Sequence, residues 1–176
     1  MNHWAKWAVN AILLAAALVW LAAPAAAGQK LTWREISHLS QVHKIKGPDA
    51  KDHLLGVYQH QGVCLFPGGQ AAAYETTGAF DVYGRSGGGR THRGYGKISF
   101  SDGSAIIFKT QGVEYFASGD KLPKLKGTGS FISGTGRYQG IRGSLSFSGG
   151  YVTGLSEDDT GGEAVLDYQA EYTLVR

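Results

Sequence analysis

Residues 164–175, AVLDYQAEYTLV, alternate without interruption: Leu166, Tyr168, Ala170, Tyr172 and Leu174 fall on one face, and Val165, Asp167, Gln169, Glu171 and Thr173 on the other. A period of two over this length is the spacing of a strand with one packed face and one wet face, as in an antiparallel sheet. Working back from it, the chain from about Leu54 onward is a succession of short apolar and aromatic runs separated by glycine-rich turns, with 27 glycines in all. The runs 54–66, 71–83, 91–101, 104–111, 113–118, 126–133, 141–148 and 164–175 read as strands. Eight strands suffice to close a small barrel, so the expected fold is all-β, an antiparallel eight-stranded closed barrel over residues 54–176.

Turn chemistry supports this division. Pro67-Gly68-Gly69 joins the first two runs, and Ser101-Asp102-Gly103-Ser104 lies between Phe100 and Ile106 as a tight hairpin, since Asp-Gly tolerates the positive φ such turns demand. Two further segments, Ser86-Gly87-Gly88-Gly89 and the acidic 155–162, LSEDDTGG, read as surface loops.

Residues 28–53 read differently. Thr32 with Glu35 three residues later forms a capping-box pattern, and Ile36, Leu39 and Val42 recur at helical spacing, so a short N-terminal helix is expected here, ended by Gly47-Pro48-Asp49. Residues 1–27 carry the marks of a cleavable export signal: Lys6, an apolar run from Ala11 to Ala23, Pro24, and the small-residue site Ala25-Ala26-Ala27. The apolar run is shorter than the ~20 residues a bilayer-spanning helix needs. Cleavage after Ala27 would leave a mature chain in the periplasm or the surrounding medium, with no membrane attachment after the signal is removed.

Charge and cysteine usage narrow the partners. Seventeen basic against 14 acidic residues is too even a balance to imply a nucleic-acid partner. The one local basic concentration, 121–126 (KLPKLK), reads as a solvated loop edge. With a single cysteine, Cys64, no internal disulfide can form, so stability outside the cytoplasm must come from packing. Cys64 shares strand parity with Tyr58, His60 and Phe66 and reads as a small buried hydrophobe.

The segment 127–151, GTGSFISGTGRYQGIRGSLSFSGGY, goes beyond generic β composition. Within it, Gly134-Thr135-Gly136-Arg137-Tyr138-Gln139-Gly140-Ile141-Arg142-Gly143 resembles the turn between two late strands of the allene oxide cyclase and dirigent-like barrels, in the wider calycin-like group. The resemblance implies a barrel whose end is plugged by Tyr138 and Ile141 and whose lumen holds a small apolar or aromatic ligand. It further implies cofactor-free isomerisation or cyclisation as the reaction class, or, by analogy with phenazine-demethylating barrels, oxidative chemistry on a flat aromatic compound. The cyclase's early acidic and Asn-containing strand is not matched by Val57-Tyr58-Gln59-His60-Gln61, so its catalytic residues do not carry over.

No nucleophile elbow, phosphate loop, zinc-protease helix or cysteine pair is present, and the histidines lack a tight ligand spacing, so neither a cofactor nor a metal is expected. The candidate polar participants are Glu75, Asp81 and Tyr83, which share one face of run 71–83, together with His60. If that face lines the lumen, its carboxylates have raised pKa values and suit general acid–base work; if it faces water, they are solubilising groups. The competing reading is a non-catalytic carrier or a homo-oligomeric envelope protein whose outward apolar face makes the contact. The parity of the second and last runs discriminates between the two.

Overall fold

The computed structural model describes residues 28–83, 90–154 and 162–175. Residues 1–27, which carry the expected signal, and most of the two glycine-rich and acidic loop segments lie outside the described residues. Eight strands, β1 (Gln29–Lys46), β2 (His53–Leu65), β3 (Ala71–Tyr83), β4 (Arg90–Ser99), β5 (Ala105–Tyr115), β6 (Lys124–Thr135), β7 (Ile141–Tyr151) and β8 (Glu163–Leu174), follow one another around a closed barrel. Every neighbouring pair is antiparallel, and β1 closes the ring against β8. The one helical element among the described residues is a single 3-10 turn, Gly136–Tyr138.

The expected N-terminal helix is corrected by β1. Trp33, Glu35, Ser37 and Leu39 are buried on the inner face, while Thr32, Arg34, Ile36 and His38 point outward. The period of two is present in the sequence but masked, because a carboxylate and a hydroxyl occupy inward positions. Tertiary pairing decides the outcome: β2 and β8 would otherwise each leave an open edge, and β1 satisfies both, from Arg34 opposite Leu65 and Asp167 to Lys46 opposite Leu54. A register shift between Leu39 and Gln41 then changes parity, so that Val42 and Lys44 line the lumen.

A second correction concerns β5. The expected break at Gln111-Gly112 is absent, and the runs 104–111 and 113–118 become one strand. A side chain at Gly112 would meet the Lys126 carbonyl oxygen at 2.5 Å and His92 Nε2 at 2.7 Å, so glycine there marks close packing rather than a turn. One strand gained and one merged leave the count of eight intact.

The expected hairpin at Asp102-Gly103 is present: Gly103 has φ +83°, Phe100 N–H donates to the Ser104 carbonyl, and Asp102 Oδ1 accepts from Ser104 N–H at 2.9 Å and from its hydroxyl at 2.6 Å. At the same end of the barrel, Tyr138 and Ile141 are buried, the Tyr138 ring against Phe100, and the Arg137 guanidinium lies 4.5 Å over the Phe100 ring while pairing with Asp102 at 3.0 Å. Gly140, at φ +78°, bonds through its carbonyl to Val175 N–H. A Cβ there would sit 1.9 Å from the Val175 carbonyl oxygen. Gly140→Ala is therefore expected to cost about 1–2 kcal/mol from backbone conformation alone, and to loosen the end of β8, read as a lower urea midpoint and faster amide exchange at Val175.

Aromatic rings fill the middle of the barrel. Trp33 stacks on Tyr168 at 4.7 Å between centroids, and Phe108, 1% exposed, lies edge-on to both at 6.0 and 6.1 Å. The inward parity of β8 is that of Leu166, Tyr168 and Ala170, which settles the face left open by alternation alone.

Candidate functional site

The packing stops short of the other end. A cavity of about 510 Å³ opens among the chain links that join β1 to β2, β5 to β6 and β7 to β8, within the range of small-molecule sites. Its walls are apolar, with Leu54, Phe80, Val82, Phe116, Leu125 and Phe147 among them. Besides Lys44, Lys51 and Asp52, its polar lining includes two sets: one midway along the barrel, centred on β1 and β2, and one near the mouth, from β4 and β5.

The inner set centres on Glu35. It sits opposite Cys64 on β2 and Leu166 on β8, is only 2% exposed, and lines the cavity. Burial raises its carboxyl pKa, and the surrounding hydroxyls of Ser37, Tyr168 and Tyr74 oppose the shift. Ser37 Oγ donates to Glu35 Oε1 at 2.6 Å, and Glu35 Oε2 has no partner. Ser37 faces Gly62, which carries no side chain, and His60 two residues along β2 reaches the same hydroxyl, Nδ1 to Oγ 3.3 Å. His60 Nε2 lies 3.4 Å from the Tyr151 hydroxyl, and Tyr58 stands edge-on to the ring at 5.5 Å. Burial, reinforced by His38 and His92, pushes the His60 pKa down to about 4, so the imidazole is neutral at neutral pH. Burial also raises the phenols of Tyr58 and Tyr151.

The outer set is an ion pair. Arg90 Nη2 lies 2.7 Å from Glu114 Oε1 across the β4–β5 register, with side chains 24% and 19% exposed. Burial raises the Glu114 pKa and Arg90 partly restores it. Arg90 Nε and the neighbouring inward His92 Nε2 have no partner. Among the described residues no three His, Cys, Asp or Glu side chains converge as a metal-binding group.

Of the four residues singled out from sequence, the structure brings His60 to the cavity. Glu75 is on the outer face, paired with Lys97 at 3.2 Å. Asp81 and Tyr83 are outside as well: Asp81 Oδ1 bonds to His53 Nε2 at 3.0 Å, and the Tyr83 ring stacks on His53 at 3.9 Å with its hydroxyl donating to Asp49 Oδ2. The reason is parity, since β3 turns Tyr74, Thr76, Phe80 and Val82 inward. Asp81 and Tyr83 clamp the β1–β2 link, where His53 also bonds to Asp49 and its pKa is raised chiefly by that contact. Asp167 is likewise outside, held by Arg34 at 2.7 and 2.9 Å. Cys64 is fully buried and its thiol pKa is raised by burial, as suits a packing residue. Sequence reading missed Glu35 and Ser37, whose signal was the alternation of Trp33, Glu35, Ser37 and Leu39.

No family model matches the chain, and no curated protein matches it. Among solved structures, the chain is similar to a pterocarpan synthase dirigent protein (9% identity, 85% of this chain and 88% of that one, TM-score 0.47). It is also similar to a pyocyanin demethylase (15%, 82% and 100%, TM-score 0.47), and to a DUF3224-family protein of unknown function from Shewanella oneidensis (10%, 85% and 99%, TM-score 0.47). At such identities the likeness says nothing of substrate.

Proposed function

We propose that the protein is an exported barrel that binds a small, flat, apolar or aromatic ligand in its lumen. The observation that carries this reading is the half-filled barrel: an aromatic-walled space of about 510 Å³ with a few convergent polar groups, in a fold whose other half is densely packed. The export part rests on the pattern of residues 1–27.

Trp33 provides the readout, because it is buried against Tyr168, a lining residue, and is the only tryptophan beyond residue 27. Titrating the full chain with flat aromatic compounds is expected to quench a fluorescence component that Trp33→Phe removes. Thr110→Phe, which places a ring in the cavity, is expected to abolish the quenching while leaving the barrel folded. Quenching that survives Thr110→Phe would place the ligand elsewhere and defeat the reading.

A second reading, a non-catalytic homo-oligomeric envelope protein, draws on Ile36, Val57, Val63 and Leu65, which stand 41 to 50% exposed on the outer faces of β1 and β2. Sedimentation velocity of the purified chain reads it directly, as a dimer or larger species that Val63→Lys dissociates.

A further inference from the structure

The structure assigns to the inner end of the cavity a proton-transfer pair, with Glu35 as acid and His60 as base, acting on a conjugated or α-keto carbonyl compound. This rests on the ligand-binding reading and goes beyond it, because it names the reaction and the residues.

The Ser37 hydroxyl has one proton, which it gives to Glu35 Oε1 at 2.6 Å. Its oxygen then accepts from His60 Nδ1 at 3.3 Å. With the carboxyl proton on Oε2, this order puts the ring proton on Nδ1 and leaves the Nε2 lone pair facing Tyr151, at a weak 3.4 Å contact. On the other side, Glu35 Oε2 is buried without a partner beside the cavity. A buried polar group left unpaired is destabilising, and a ligand oxygen there would relieve that cost.

The electrostatics agree with this geometry. In water, a carboxylic acid and an imidazole joined through one hydroxyl would exchange a proton and form an ion pair. Here burial raises the first and lowers the second to about 4, which favours two neutral partners. A neutral acid and a neutral base on one small cavity can act together without creating net charge in a low-dielectric site.

The step balances without an oxidant or cofactor. His60 Nε2 takes a proton from the carbon next to the carbonyl, and the C–H electron pair becomes the new C=C bond. The carbonyl π pair takes the proton of Glu35 Oε2, giving an enol, an imidazolium and a carboxylate. Collapse runs in reverse, with the imidazolium returning its proton to the same carbon or to the far end of a conjugated system and the enol hydroxyl returning its own to Glu35. Over the full cycle the net result is exchange of the hydrogen next to the carbonyl, through the imidazolium proton, or a shifted double bond. Ser37 is a positioning residue that fixes the His60 tautomer.

Phenylpyruvate is a suitable probe: its ring suits the aromatic walls, and its keto group and adjacent C–H suit the pair. The full chain is expected to accelerate deuterium exchange at the carbon next to the keto group of phenylpyruvate. Glu35→Gln and His60→Gln should each lower the rate on the order of 10²-fold, while Lys109→Gln, on the outer face, leaves it unchanged. Ser37→Ala should lower kcat more than it raises KM and should alter the His60 ring nitrogen chemical shifts. Quenching of Trp33 by phenylpyruvate without any acceleration, or equal rates in wild type and Glu35→Gln, would overturn the inference and leave the binding reading standing. Neither quenching nor acceleration would count against both. Independently of any ligand, the infrared difference between wild type and Glu35→Gln at neutral pH should show a protonated carboxyl band. A carboxylate band there would overturn the inference.

Discussion

Phe108→Ala is expected to remove about 3–5 kcal/mol of stability, a large share of the roughly 5–15 kcal/mol that holds an ordinary domain together. The ring is 1% exposed and touches Trp33, Tyr168 and Tyr74, with centroids 6.0, 6.1 and 6.5 Å away. It also lies against Gly96, where an added Cβ would fall 2.4 Å from the ring. Truncation therefore opens a void that the barrel wall cannot close, because the strands around it are pinned by ladder bonds on both sides. Urea denaturation followed by circular dichroism reads the loss as a lower midpoint at unchanged slope. A cost under 1 kcal/mol would mean that the middle of the lumen is not packed as described.

The second large effect is on acid stability. His60 has a folded pKa near 4 against an ordinary value of 6.5, so across that interval the unfolded chain binds a proton that the barrel refuses. The sign follows directly: the unfolded state gains as pH falls from 6.5 toward 4, and the barrel loses about 3 kcal/mol from this one side chain. His60 is surrounded by Ser37, and through it Glu35, and by His38 from β1, Tyr58 from β2, His92 from β4 and Tyr151 from β7. His92, whose pKa is also lowered by burial, adds in the same direction, and Glu35 acts oppositely, since a raised carboxyl pKa makes the fold less stable as pH rises above 4.5. Comparing wild type with His60→Gln by urea melts at pH 7.5 and pH 4.5 isolates the histidine. The variant should lose markedly less stability on acidification, and equal losses would show that His60 is not held neutral.

Much of the barrel was legible because its local signals agree with one another. In residues 164–175 the packed face is continuously apolar, the Asp102-Gly103 turn needs a positive φ that its residues supply, and the turn at Gly136–Tyr138 needs glycines on either side of a plugging tyrosine. The strand β1 was not legible for the same reason that it matters: its inner face carries Glu35 and Ser37, and a polar residue on a packed face erases the pattern that announces a strand. His60 could be placed because its parity partners Cys64 and Phe66 are plainly core residues. Glu75, Asp81 and Tyr83 looked equivalent, since parity groups residues without saying which group is inside. Only the closure of the ring through β1 and β8 supplies that answer.

The local sequence therefore conceals an acid where a lumen needs one, and hydrogen bonding rather than periodicity reveals it. Glu35 reads as a helix-capping residue in isolation. In the barrel it is the buried end of a chain running through Ser37 and His60 to Tyr151.

The central claim is that the open half of the lumen holds a small molecule. Native mass spectrometry of the full chain, produced with its N-terminal segment and recovered from the envelope or the medium, tests it most directly. The expected result is a protein mass corresponding to residues 28–176 that carries one additional small molecule, absent when Thr110→Phe is purified in the same way. A bare mass for both proteins would contradict it.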